Sequence, residues 1–552
     1  MSKEVGVQQN KAPEFTGWRA TLWPIHGYEM KKFIPLAVIM FAVLFNYTIL
    51  RDTKDTLVVS AAGAGAITFL KSYCVTPMAI LFVIFYAKLT NILSRENVFY
   101  ATIIPFLAFF GLFGFVLYPN LDILHPSKET VDALYQAAPA LSGFIDIYAY
   151  WVYSLFYILS EIWGSAMIAL CFWQFANHVV RIRESKRFYG LFAVIGNAAL
   201  LLSGPTVYFC SDSIKHFVPE GIDAWGVSLK LLMGAVLIMG IVAIYTFKWM
   251  HNNVLNDKLY FDPEEAGVPK KKKEKPSLSD SLKMVLKSKE LLLIATLIMA
   301  YGVTINLVEV QWKHQMKLFA AGDKGLYNGL MGQYSFFQGL FAIAFGLLVG
   351  NQILRRVSWM KAAIITPLVM LVGGGIFFLF IISQGLMEPL LAFLNSNAFT
   401  AATFLGMAIL IIAKPIKYML FDPTKEMAYI PLSDEEKTKG KAAVDVIGGR
   451  AGKAGGAMVQ SWLLMAFATK DVVAIAPIGF IVFAVIAVAW LYAVKALSVR
   501  VSTATAAREK ELQDAKAKEE ALSKEEELKK AEREKEEAEH CAQEAVEDPD
   551  DE

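Results

Sequence analysis

The chain has 552 residues, of which 56% are hydrophobic and 19% charged, with a formal net charge of +2 and a mean hydropathy of +0.44. A soluble protein of this length would divide into several domains with far more charge between them. Here charge gathers in loops and tails, and apolar runs of about the 20 residues that cross a bilayer as a helix fill the space between.

Residues 1–30 mix charges, Pro and Trp without an apolar core or a small-residue cleavage site. They read as a cytoplasmic segment, neither secretory signal nor transit peptide, so the first span inserts uncleaved. About twelve spans follow. Six centre near Ala42, Leu81, Phe109, Tyr157, Ala198 and Leu237, and six near Leu297, Phe337, Val369, Leu410, Gly455 and Val482. They divide into an N-terminal half, 31–251, and a C-terminal half, 283–498. A polar linker, 252–282, carries Lys270 to Lys273 between prolines and reads as cytoplasmic; the tail, 499–552, alternates Ala, Glu and Lys and ends acidic. The tail reads as a solvated helix that frays. Cys74, Cys171, Cys210 and Cys541 have no metal or redox spacing. No metal and no cofactor are expected.

Alternate loops are rich in Lys and Arg (Lys88 and Arg95; Arg181 to Arg187; the linker; Arg355 to Lys361; Lys437 to Lys441), and those between them are poor. The positive-inside rule then places both termini in the cytoplasm, which requires an even number of spans. The halves also echo each other. Glu184-Ser-Lys-Arg precedes Val194-Ile-Gly-Asn197 as Glu436-Lys-Thr-Lys precedes Val446-Ile-Gly-Gly, with the same spacing. Paired six-span halves are the major-facilitator arrangement, in which the substrate site lies between the halves near mid-membrane.

Ionisable groups inside spans are costly and face a pathway. They occur as Arg51-Asp52-Thr-Lys54-Asp55 in the first span, Glu161 in the fourth, Glu309 and Lys313 in the seventh, and Lys414, Lys417, Asp422, Lys425 and Glu426 in the tenth. The eleventh adds Asp445, Arg450 and Lys453. The third, sixth, ninth and twelfth spans read as lipid-facing. The cations outnumber nearby acids, so the cavity calls for a multivalent anion such as a phosphate chain. Tyr157, Trp163, Trp173 and Trp312 are candidates for stacking on a flat ring, and Glu161 and Glu309 for bracing lysines or carrying protons. Blander readings stand beside these: Asp52 and Asp55 pairing with Arg51 and Lys54 at a helix end; Lys417, Lys425 and Glu426 snorkelling to the interface; the glycines from Gly448 to Gly456 serving helix packing. Gly452-Lys453 resembles a phosphate-cradling loop, but Ala454 stands where a hydroxyl residue binds magnesium. No other hydrolase signature is present, so an enzyme is not expected.

Phe45 to Asp55, Ser160 to Gly164, Phe172 to Asn177 and Phe421-Asp-Pro-Thr-Lys-Glu-Met-Ala-Tyr-Ile-Pro431 resemble the nucleotide translocases of obligate intracellular bacteria and plastids, the ADP/ATP carrier proteins. The resemblance runs from about Met30 to Leu497. It implies an all-α, major-facilitator-like antiporter that imports ATP in exchange for ADP, with phosphate in some members. It further implies roles in transport for Lys54, Glu161, Glu309 and Lys425. Arg51, Lys313, Lys414, Asn197, Arg450, Lys453 and Trp163 complete the expected substrate site. The expected partners are ATP and ADP, phosphate as an additional substrate, and membrane lipid, with no nucleic acid. A monomer in a bacterial inner membrane is expected. Two alternatives remain open at this point: a proton-coupled importer of other nucleoside triphosphates, and a membrane scaffold or sensor acting through the tail.

Overall fold

In a computed structural model of the chain, the described residues are 15, 19, 23–257, 260, 278–350, 353, 356–393, 396–430, 432, 433, 435, 436, 440, 441, 444 and 448–503. Only the backbone is described for 182, 183, 186, 278–282, 349, 350, 390, 449 and 450. Most of the linker, most of the N-terminal segment before residue 23 and all of the tail beyond 503 lie outside the described residues.

A backbone in hydrocarbon must satisfy its own hydrogen bonds, which leaves helices as the solution for apolar runs of this length. Among the described residues, eleven helices are long and apolar enough to cross a membrane. In the first half they are α1 (Gly27–Ala62), α2 (Ala64–Ile92), α3 (Arg95–Leu124), α4 (Trp151–Val179), α5 (Arg187–His216) and α6 (Ala224–Asn253). In the second they are α7 (Lys289–Ala320), α8 (Lys324–Leu348), α9 (Trp359–Ile382), α10 (Ala398–Tyr429) and, in last place, α12 (Ala476–Thr503). Between α10 and α12 lies α11 (Gly449–Ala466), whose glycines, Arg450 and Lys453 dilute its apolar character. Every expected span centre falls inside its helix. The fold is thus the all-α, major-facilitator-like bundle anticipated from the sequence.

Two features were not anticipated. Short helices, Lys128–Ala137 and Ser142–Ala149 between α3 and α4 and Gln384–Phe393 between α9 and α10, occupy equivalent loops of the two halves. Within the spans, several turns widen to π geometry. Leu70–Val75 does so just before Pro77, and Lys417–Phe421 just before Pro423. Proline has no N–H to return to the preceding turn, so the ladder opens there. Such turns recur at functional sites, and these two carry Lys71 and Lys417.

The sequence repeat has a structural counterpart in a pair of matching backbone contacts. The Arg181 amide donates to Glu184 Oε2 at 3.0 Å, and the Ser433 amide donates to Glu436 Oε2 at 3.2 Å. In each copy a carboxylate satisfies a backbone donor three residues earlier. Glycines let helices touch. A Cβ on Gly204 of α5 would meet Gly332 O of α8 at 2.6 Å, across the two halves. Gly452 and Gly456 lie against the backbone of α7, so these two glycines of α11 serve packing.

Candidate functional site

A cavity of about 1020 Å³ lies between the halves, lined by α1, α2, α4 and α5 from the first and α7, α8, α10 and α11 from the second. No residue of α3, α6, α9 or α12 lines it. That size reaches the upper end of small-molecule sites, roughly 300–1,000 Å³. Among the described residues, eight cations, Arg51, Lys54, Lys71, Lys313, Lys414, Lys417, Lys425 and Lys453, face four carboxylates, Asp55, Glu161, Glu309 and Asp422. The surplus is positive.

The charges interlock. Lys54 Nζ is 2.9 Å from Glu161 Oε1 and 2.7 Å from Asp55 Oδ1. Asp55 Oδ2 is 2.8 Å from Lys313 Nζ. Lys313 and Lys414 share Glu309 Oε1, at 3.4 and 3.1 Å, and Lys71 approaches Glu309 Oε2 at 3.8 Å. The sequence of partners therefore alternates in sign from α4 through α1 and α7 to α10, crossing between the halves at Asp55 and again at Lys71. Nearby, Arg51 donates to Asp52 at 3.0 Å and to Ser335 Oγ of α8 at 2.6 Å, while Ser335 donates to Asp52 Oδ2 at 2.6 Å. Asp52 and Asp55 do pair with Arg51 and Lys54, but deep inside α1 and not at a helix end.

Of the expected site residues, Lys54, Glu161, Glu309, Lys425, Arg51, Lys313, Lys414, Asn197 and Lys453 line the cavity. Lys425 is 3.1 Å from Glu426, and Lys453 is exposed within the opening. The Arg450 side chain and Asp445 lie outside the described residues. Trp163 is a correction. It is fully buried, donates its ring N–H to Val43 O at 3.1 Å and packs edge-on against Phe106 and Phe110. The other proposed stacking rings also turn away. Trp312 donates to Thr403 O at 2.9 Å, Trp173 packs on Tyr189, and the Tyr157 ring sits 4.0 Å from Lys54 Nζ, outside the lining. The rings that do line the cavity are Tyr47, Tyr301, Tyr418 and Phe421. Replacing Trp163 by Phe should therefore cost about 1–2 kcal/mol of stability, from one hydrogen bond and a small void, and leave substrate KM unchanged. Thermal melts and uptake kinetics on the same preparation check both halves of that expectation.

Lys71 was missed, although a lone lysine in an apolar run is the signal that found the others. For Lys417 the sequence left open a place in the pathway or snorkelling to the interface. Lys417 lines the cavity and is 2.8 Å from Asp422.

The two ends of the bundle differ. At the end away from the linker, polar contacts join the halves: Lys215 to Asp323 at 3.0 Å, Lys470 to Asp146 at 3.1 Å, and Thr56 through Asn328 to Ser211, each step 2.8 Å. Burial pushes the Asp146 carboxyl above its ordinary value, against the pull of Tyr135 and Lys470. Burial acts likewise on Asp323, but the Leu326 amide and Lys215 outweigh it and hold that group below its ordinary value. At the linker end, the ion pairs Lys32–Glu184, Arg187–Glu29, Lys441–Glu426 and Arg500–Glu290 each stay within one half.

Residues 8–500 match the family described as the TLC ATP/ADP transporter. The chain is 42% identical to ADP,ATP carrier protein 1 of Chlamydia muridarum over 514 residues, covering 93% of this chain and 96% of that one. It is 43% identical to ADP,ATP carrier protein 1 of Rickettsia prowazekii, covering 87% and 95%. It is 40% identical to the chloroplastic ADP,ATP carrier protein 2 of Arabidopsis thaliana, covering 89% and 79%. Among solved structures, a bacterial homologue of the iron transporter ferroportin shares the fold, with a TM-score of 0.51 at 14% identity over 85% of this chain and all of that one. The chain belongs to the TLC ATP/ADP transporter family, as a multi-pass membrane transporter and not an enzyme.

Proposed function

We propose that the chain is a nucleotide antiporter that imports ATP in exchange for ADP through the central cavity. The observation that carries this reading is the surplus of lysines arrayed between the two halves, in a chain whose relatives are named ADP,ATP carriers. Ammonium groups hold phosphate oxygens as point charges, and a phosphate chain of three or four charges offsets the repulsion among them. Lys54, Lys313, Lys414 and Lys71 take the phosphates, with Lys425 and Lys453 nearer the mouth. Arg51 and Asn197 line the wall beside them. Glu161 and Glu309 brace the lysines of the empty site. The cavity is completed within one chain, so the carrier works as a monomer.

Transport proceeds by rocking of the halves. Among the described residues, polar contacts join the halves at one end and not at the other, which supports a state open toward the linker. In a bacterial inner membrane with both termini cytoplasmic, that is the inward-open state. Phosphate, a small multivalent anion, fits the same lysines as a companion to ADP.

Exchange is tested with reconstituted vesicles. Labelled ATP should enter vesicles loaded with ADP and not empty ones, regardless of a pH gradient. Uptake into empty vesicles driven by a pH gradient would replace exchange with proton coupling, with Glu161 and Glu309 as the carriers. Deleting the tail beyond Ser502 should leave exchange intact, which a scaffold acting through that tail would not.

A further inference from the structure

Resting on the exchange reading above, we infer that Asp55 is a built-in stand-in for a substrate phosphate, and that by bridging the two halves in the empty carrier it makes transport obligatorily coupled to exchange. Asp55 is 1% exposed and sits on α1, in the first half. Its two oxygens take one ammonium each: Oδ1 from Lys54 of its own half at 2.7 Å, and Oδ2 from Lys313 of the other half at 2.8 Å. Among the described residues, no other carboxylate has ammonium groups of both halves within 3 Å. Two oxygens on one centre, each meeting a lysine, is the arrangement a phosphoryl group presents. The same lysines line the cavity beside Lys414 and Lys71.

Two consequences follow from the charges. A phosphate entering the cavity competes with Asp55 for Lys54 and Lys313, so the bridge between the halves is exchanged for contacts that a bound ligand carries with it. When the ligand leaves, Asp55 recloses on Lys313. The empty carrier then keeps this buried ion pair across its midplane, and the loaded carrier has given it up. Rocking is open to the loaded form and closed to the empty one, because only the loaded form has exchanged the tie. Asp55 thus acts through the lysines, as a positioning residue.

The test is Asp55→Asn in purified, reconstituted carrier, with Asp55→Glu as the conservative rescue. Labelled ATP uptake is measured into ADP-loaded and into empty vesicles, over a range of ATP concentrations. In Asp55→Asn the competitor is gone, so KM for ATP should fall by about threefold or more, while uptake into empty vesicles rises from background to about a tenth or more of the loaded rate. Asp55→Glu should keep the wild-type ratio of empty to loaded uptake. A residue that only supports the fold would lower both rates together and leave both KM and the ratio where they were. That result overturns the inference. Lys313→Gln cuts the same bridge from the other half. If Asp55→Asn does not fold, a raised empty-to-loaded ratio in Lys313→Gln supports the bridge, and an unchanged ratio overturns it. A wild-type carrier that exchanges no nucleotide would instead overturn the functional reading itself.

Discussion

Replacing Lys54 by Gln should reduce ATP–ADP exchange by about a hundredfold or more, the scale set by losing one charge-assisted contact of roughly 1.5–3 kcal/mol together with the order of the site around it. Lys54 is buried, and its ammonium group is the cation between Asp55 and Glu161. Without it, two carboxylates face the incoming phosphates where one cation stood, so the loss exceeds that of a single hydrogen bond. Lys54→Arg should fall between the two, because a planar fork keeps the charge but not the compact point geometry that fits between two carboxylates. Initial uptake rates into ADP-loaded vesicles measure the effect, and thermal melts establish that the helices remain packed. An unchanged rate would remove Lys54 from the pathway.

The second large effect is a reversible block. With Cys74, Cys171, Cys210 and Cys541 replaced, Asp146→Cys and Lys470→Cys place one thiol on each half at the end remote from the linker. A short bifunctional thiol reagent should then stop exchange to background, and cleaving the link should restore it. Substitutions at Lys215 and Asp323 supply an independent pair at the same end. If the loops carrying these residues do not part during transport, the linked carrier will run at the rate of the unlinked one, and the rocking motion must be sought elsewhere.

The membrane-spanning architecture could be read from the chain because apolar length, loop charge and the repeated Val-Ile-Gly all point to the same bundle. The charged positions on α1, α4, α7, α10 and α11 were legible for a single reason: a lysine or carboxylate in hydrocarbon is costly enough that its presence needs a pathway. Partner choice was not legible. Asp55 reaches Lys313, and Lys71 reaches Glu309, only once the halves face each other, and no local pattern encodes those meetings. Aromatic residues misled for a related reason. Trp163 follows Glu161 by two positions, which on a helix turns it about 200° away from that side chain, into the packing against α3. The loop helices escaped notice because pieces of eight to ten residues fall far short of a span. Lys71 carried the same signal as the other lysines, a cation in an apolar run, and α2 holds it on the turn widened before Pro77.

The most direct measurement is an electron cryo-microscopy map of the carrier with ATP bound. The account predicts density for the triphosphate between the halves, within hydrogen-bond distance of Lys54, Lys313 and Lys414, with Asp55 no longer joining Lys54 to Lys313. A map in which the nucleotide sits outside this cavity, or in which the cavity keeps its Lys54–Asp55–Lys313 bridge with ATP bound elsewhere on the chain, would contradict it.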